Sequence, residues 1–328
     1  MNTVSGQIRP IKFNEYIGQE SIKKNLNISI EAAKQRADTL EHILLYGPPG
    51  LGKTTLAMII ANEIGVNFVQ TSAPAISQKK EMAAILTDIK EEGTILFIDE
   101  IHRLNKAVEE LLYPAMEDFK LFIMIGEGPG ARNIEINLPS FSLIGATTRA
   151  GGISSPMRDR FGMNFKLDFY KKEEIIAILF RSSKVIDVEL TQEGAEIIAE
   201  RSKATPRIAN KLLKRVRDFA QIRNNNFIDK NIAITAFDHL GIDKSGLDKN
   251  DIDYLQTLLY KFNGGPVGID NISTAINEDK TTVEDMIEPF LIRLGLIKRT
   301  PKGRIATNNC YGYFGLKQNS SQKELFDE

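Results

Sequence analysis

Gly47-Pro48-Pro49-Gly50-Leu51-Gly52-Lys53-Thr54-Thr55 follows the apolar run Ile43-Leu44-Leu45-Tyr46 and precedes Leu56-Ala57-Met58-Ile59-Ile60-Ala61-Asn62-Glu63-Ile64, a stretch of helical composition. Strand, glycine-rich turn and helix in that order is the setting that the phosphate-loop pattern G-x-x-x-x-G-K-[ST] requires. Its glycines, among them Gly50 and Gly52, admit backbone conformations that a Cβ would block. They turn N–H groups toward phosphate oxygens, and the helix behind them presents its positive end to the same anion. Lys53 would neutralise the β and γ phosphates, with Thr54 placing its hydroxyl on Mg²⁺ and Thr55 beside it. The stretch reads as a nucleoside triphosphate site in an α/β domain.

Length and composition frame that site. A chain of 328 residues is too long for one compact core and predicts two or three domains. With 42% hydrophobic and 26% charged residues and no apolar run near the length of a membrane span, a soluble globular protein is expected. The first residues lack a charged head followed by an apolar segment, which argues against secretion. A single cysteine, Cys310, excludes an intrachain disulfide and a multi-cysteine metal site, and fits a reducing cytoplasm. The net charge of −1 argues against wholesale coating of nucleic acid, yet charge is unevenly spread. Six basic residues and no acid lie between Phe290 and Lys317, and eight basic residues against Asp218 alone lie between Arg201 and Arg223. A solvated face and a nucleic-acid surface are equally good readings of such runs.

Outward from the phosphate loop, apolar patterning predicts a helix from Glu20 or Ser21 to Ala37, a strand over Asn67–Gln70 and a helix over Lys80–Lys90. Thr94-Ile95-Leu96-Phe97-Ile98-Asp99-Glu100 is a continuous apolar strand ending in two carboxylates, as is usual inside a parallel sheet. After a helix over Lys106–Met116, extended segments at Leu121–Ile125 and Asn133–Ile136 flank a glycine-rich hairpin tip, and a second buried strand runs over Ser142–Thr148. Alternation of this kind predicts a layered α/β sheet with ligands outside the carboxyl ends of its strands. Beyond Tyr170 helical spacing takes over at Glu173–Phe180, Glu193–Arg201, Pro206–Arg223 and Lys230–Leu240, with no strand signal. Helices at Ile252–Phe262, Ile269–Ile276 and Thr281–Leu294, then an extended pair around Thr300–Arg304, suggest a winged helix-turn-helix module. The domains expected are an ATPase domain at 1–168, a helical lid at 169–241, a winged helix at 242–317 and a mobile polar tail at 318–328.

Asp99 and Glu100 match a Walker B element. If their strand is a parallel neighbour of the phosphate-loop strand, Asp99 would hold Mg²⁺ through water and Glu100 would activate the attacking water. Thr148, or Thr147 next to it, would place a hydroxyl near the γ phosphate. Arg158 and Arg160 follow close behind, and an arginine there would complete a neighbouring subunit's site; such a finger typically contributes ~10³–10⁵ in rate. Arg207, opening a basic helix, would reach the γ phosphate from the lid.

With these elements in this order the sequence resembles the AAA+ ATPases and, more closely, the RuvB family of Holliday junction branch migration motors, from Arg9 to about Leu316. Beyond the two ATPase motifs, the likeness is carried by Leu112-Tyr113-Pro114-Ala115-Met116-Glu117-Asp118-Phe119, Ile123-Met124-Ile125-Gly126-Glu127-Gly128-Pro129 and Gly145-Ala146-Thr147-Thr148-Arg149-Ala150-Gly151. Thr205-Pro206-Arg207-Ile208-Ala209-Asn210 and Gly264-Gly265-Pro266-Val267-Gly268 extend it.

The resemblance implies that Ile8, Arg9, Tyr16 and Ile17 border the adenine of ATP, and that Tyr170 and Arg207 approach from the lid. It implies that Glu117, Asp118 and Phe119 contact nucleotide, that Thr148 and Arg207 are the two sensors and that Arg160 is the finger, with Arg158 nearby. By the same resemblance the Phe122–Ile136 hairpin contacts RuvA, the junction-binding partner, RuvC acts alongside where present, and Lys280, Arg299 and Arg304 contact duplex DNA without sequence specificity. A homo-hexameric ring working in recombination, DNA repair and the SOS response is implied as well. Lys302 stands where arginine is frequent in the family, keeping charge but losing bidentate geometry. Gln322-Lys323-Glu324-Leu325-Phe326 looks like a sliding-clamp docking peptide, although an incidental chain end is the plainer reading. Two rivals share the phosphate loop: a loader or initiator switched by nucleotide, and a peptide-remodelling ATPase, the latter disfavoured by the acid-free basic stretch near the end.

Overall fold

The computed structural model describes residues 8–125 and 132–316. The chain divides into two compact units, Met1–Ile186 and Asp187–Glu328. The expected hairpin tip at 126–130 and the tail, with its Gln322–Phe326 segment, lie outside the described residues.

In the first unit a helix, α1 (Glu20–Arg36), leads into the phosphate-loop strand β1 (Ile43–Tyr46) and helix α2 (Lys53–Ile64). There follow β2 (Phe68–Ser72), α3 (Lys79–Asp88), β3 (Thr94–Asp99), α4 (Lys106–Glu117), β4 (Lys120–Ile125), β5 (Arg132–Asn137) and β6 (Phe141–Thr147). A short helix α5 (Ser155–Asp159), the strand β7 (Met163–Lys166) and α6 (Lys172–Val185) complete it. The main sheet is parallel throughout, in the order β2-β3-β6-β1-β7. One expectation is corrected here: β3 is not the neighbour of β1, because β6 lies between them. Every residue of β6 is buried, so its backbone polar groups are cut off from water and need a paired strand on both edges. The edge strand β7 was not expected: its four residues, two half-buried and two exposed, are too short a run for their alternation to stand out. Beside this sheet, β4 and β5 form a separate antiparallel hairpin in register from Lys120↔Asn137 to Ile125↔Arg132.

The second unit begins with the helices α7 (Gln192–Glu200), α8 (Pro206–Arg223) and α9 (Lys230–Leu240), packed around Ile198, Leu213, Val216 and Phe237. A two-residue strand β8 (Glu189–Leu190) pairs in parallel with β9 (Phe227–Ile228), where no strand was expected. Elements this short leave no periodic pattern to read. Next comes α10 (Lys249–Gln256), continuing into a π turn at Thr257–Lys261, and then α11 (Ile269–Ile276). Helix α12 covers residues 280–293, α-helical at Lys280–Thr282 and Glu288–Arg293 with a π turn at Val283–Ile287. The wing is the antiparallel pair β10 (Ile297–Thr300) and β11 (Gly303–Ala306), followed by an unanticipated helix α13 (Asn308–Tyr313) that buries Cys310. Gly265 shows why the Gly264–Gly268 segment needs its glycines: a Cβ there would fall 2.2 Å from the Arg304 carbonyl oxygen of the wing. Lys203 reaches from the turn before α8 to Asp248, at 3.0 Å, and to Asp251, joining the three-helix part of the unit to α10.

Candidate nucleotide site and basic surfaces

The phosphate loop sits at the carboxyl end of β1, with Gly47 N–H donating to the Thr147 carbonyl at 3.2 Å. Lys53 opens α2 and is 8% exposed; its ammonium donates to the carbonyls of Gly47 at 2.7 Å and Pro48 at 3.0 Å, which folds it over the loop. Gly52 has φ +100, and a Cβ on it would lie 2.9 Å from the Tyr16 hydroxyl. The loop is thus a backbone cradle at a helix N-terminus with a cation drawn across it, which suits a phosphate chain. Thr54 and Thr55 follow in the first turn of α2, half-buried.

Beneath the loop, Tyr170 places its hydroxyl 3.1 Å from the Leu51 carbonyl and 3.2 Å from the Tyr16 hydroxyl. Burial pushes the Tyr170 phenol up to about 12 and that of Tyr16 well above its usual value, so both stay protonated. Ile8 is buried and its carbonyl accepts from Arg181, while Ile17 is half-buried and Arg9 exposed.

At the neighbouring strand ends the carboxylates and hydroxyls meet. Glu100 adopts φ +52 after β3, and its N–H donates to Asp99 Oδ1 at 3.0 Å. Its carboxylate then receives the Thr148 hydroxyl at 3.4 Å and lies 3.3 Å from His102 Nδ1. The same ring nitrogen is 2.8 Å from Thr147 Oγ1, which also accepts from Arg149 N–H at 2.9 Å. Thr147 and Thr148, alternatives from sequence, therefore divide the work: the first is fully buried behind His102 and the second touches Glu100. No role was assigned to His102 from sequence; the only available signal was its place just beyond the two carboxylates, on the 3-10 turn Ile101–Arg103.

Arg160 ends α5 with NH2 3.1 Å from Glu117 Oε1, NH1 donating to the Pro156 carbonyl at 2.7 Å, and its guanidinium 4.2 Å from the centre of the Tyr113 ring. Arg158 is exposed and donates to the Ala150 carbonyl at 2.8 Å. Asp118 is exposed, and Phe119, at φ +53, packs edge-on against Phe141.

The remaining candidates belong to the second unit. Arg207 is exposed in the first turn of α8, whose N-terminus is capped by Thr205. In the winged part, Glu288 is fully buried and receives Arg299 Nε at 2.6 Å, Arg304 Nε at 3.0 Å and the Tyr254 hydroxyl at 3.0 Å. Glu284 takes Arg304 NH2 at 2.9 Å. Arg304 is only 15% exposed and Arg299 44%, so the two wing arginines are anchored to unequal depth. Lys280 is exposed and pairs with Asp270 at 3.0 Å.

A parallel sheet with a phosphate loop and a strand-end carboxylate, joined to a helical lid and a winged helix, defines a P-loop ATPase of the AAA+ class. Residues 8–167 match the Holliday junction DNA helicase RuvB P-loop domain, 170–243 the RuvB AAA lid domain and 244–315 the RuvB C-terminal winged helix domain. Among solved structures, the Thermotoga maritima RuvB Holliday junction branch migration motor is 45% identical with a TM-score of 0.87, covering 95% of this chain and 99% of that one. A variant of the same Thermotoga maritima protein matches at 45% identity and a TM-score of 0.88, over 94% of this chain and 99% of that one. The chain belongs to the RuvB family. No helix among the described residues is long and apolar enough to cross a membrane.

Proposed function

We propose that this protein is an ATP-driven DNA motor that moves Holliday junction branch points together with RuvA, as a hexameric ring on duplex DNA. The observation that carries the reading is the Thr148–Glu100 contact at 3.4 Å, at the carboxyl end of the sheet that also bears the phosphate loop, since it joins a γ-phosphate sensor to a general base. Lys53 and the loop amides would bind the phosphates of ATP, and Thr54, with Asp99 through water, would hold Mg²⁺. Bound Mg²⁺ supplies charge compensation along the phosphate chain. Glu100 would orient and deprotonate the attacking water, Arg160 would serve the next subunit's nucleotide and Arg207 would report its state from the lid. Ile8, Arg9, Tyr16, Ile17 and Tyr170 would border the base, with Glu117, Asp118, Phe119 and Arg158 at the subunit boundary.

The β4–β5 hairpin is the surface assigned to RuvA. Phe122 and Ile134 are partly exposed and Met124 is 69% exposed, an apolar display suited to a protein partner. Lys280, Arg299 and Arg304 would contact phosphates, giving affinity with little sequence preference. The domain limits adopted are 1–168, 169–241 and 242–317, and the work is cytoplasmic recombination and repair.

The test is ATP-dependent dissociation of a synthetic four-way junction with RuvA present. Conversion to duplex products that stops with Glu100→Gln supports the motor. ATP hydrolysis with no movement of the junction would transfer the assignment to a loader.

A further inference from the structure

We infer that Tyr113 is a positioning residue for the finger arginine, holding Arg160 ready for the neighbouring subunit's phosphates; this rests on Arg160 being the finger. Three side chains of α4, Glu109, Tyr113 and Glu117, recur at every fourth position and so share one helix stripe. All three face the loop that carries Arg160. Glu117 pairs with NH2 of Arg160, and Tyr113 stacks on its guanidinium. Glu109, 7% exposed, accepts from Ser154 Oγ at 2.6 Å and from the Tyr113 hydroxyl at 3.3 Å. Ser154 Oγ in turn caps α5 by accepting from Met157 N–H at 3.4 Å. The tyrosine is therefore pinned at its hydroxyl to Glu109 and lies 3.4 Å from Ser154 Oγ, the residue that caps the finger's own helix.

The contacts on Arg160 differ in kind. Its ion pair with Glu117, 55% exposed, is solvent-screened and weak, so phosphate oxygens can displace it. Stacking on Tyr113 occupies only the face of the guanidinium; on its edge NH1 is held by the Pro156 carbonyl, while NH2 meets the exchangeable Glu117. In this arrangement the ring remains in place while Glu117 is exchanged for phosphate. Holding a long side chain in one orientation before reaction lowers the entropy lost in reaching the transition state.

The test uses mixed rings of full-length chains. Tyr113→Leu alone is expected to lower the ATPase kcat by about 10-fold with nucleotide affinity kept, the loss of a partly desolvated cation–π contact. Tyr113→Phe, which retains the ring, should recover most of that loss. Because the finger acts across a boundary, adding Glu100→Gln subunits, whose fingers are intact, should restore hydrolysis by Tyr113→Leu sites. Arg160→Ala with Glu100→Gln is the control. If that control is restored and Tyr113→Leu is not, the defect lies in its own subunit's site or folding and the inference is overturned; wild-type turnover by Tyr113→Leu alone also overturns it. If the control itself shows no restoration, the finger assignment fails, and this inference with it.

Discussion

Thr148 Oγ1 donates to Glu100 Oε2 at 3.4 Å, so the end of the central strand β6 touches the carboxylate that follows β3. The strand end and His102, 3.3 Å away on the following turn, together orient the carboxylate. Glu100→Gln should bind ATP yet turn over ~10²–10⁴ times more slowly, the usual contribution of a positioned base. Thr148→Val should cost less, about 10-fold, as expected for one hydrogen bond to a charged group. Phosphate release measured beside fluorescent-nucleotide binding separates the two effects; loss of binding in both variants would contradict this division.

Gly52→Ala should damage the loop by two routes. Its φ of +100 costs an L-residue roughly 1–2 kcal/mol, and the new methyl meets the Tyr16 hydroxyl at 2.9 Å. A lower melting temperature together with weaker nucleotide binding is the expected pair of results. An unchanged affinity would show that the loop reshapes freely.

His42 sets a pH dependence. Its Nδ1 accepts from Leu143 N–H at 2.9 Å, so Nε2, 2.9 Å from the Met116 carbonyl, carries the proton and the ring is neutral. Burial lowers its pKa from about 6.5. A depressed folded pKa gives stability that is present above the unfolded value and is lost as pH falls through the folded one. Urea unfolding between pH 7 and 5 should show stability falling with pH, and His42→Gln should flatten that slope.

Glu288 and Lys280 should separate folding from DNA affinity. Glu288→Gln removes the charge of a fully buried carboxylate that holds two arginines; with Arg299 44% exposed and Arg304 still paired with Glu284, the cost should be about 1–3 kcal/mol. The winged part should then unfold at lower denaturant concentration, followed by its near-ultraviolet tyrosine signal. Lys280→Ala should leave that midpoint in place while reducing the slope of log affinity against log salt by about 1. An unchanged salt slope would remove Lys280 from the phosphate contacts.

Local patterns carried much of this protein. The phosphate loop, the carboxylates after an apolar strand and the helix Pro206–Arg223 are consequences of neighbours in the chain, so glycine spacing and helical period displayed them. Spatial neighbours were not displayed. Nothing in Thr94–Asp99 or Phe141–Thr147 says which strand lies beside β1, because both are apolar on both faces; the choice came from pairing across the whole sheet. The same limit hid the contacts of His102 with Thr147 and of Tyr113 with Arg160, pairs distant in sequence. The Glu288 cluster shows it most plainly. A basic run without acids looked like an open cationic surface, but helix α12 supplies the carboxylates that bind Arg299 and Arg304. Composition and period therefore determined the class of protein and the motif that binds phosphate. Which side chains are pre-positioned, and which charges stay exposed, was decided only when tertiary packing brought distant residues within hydrogen-bonding distance.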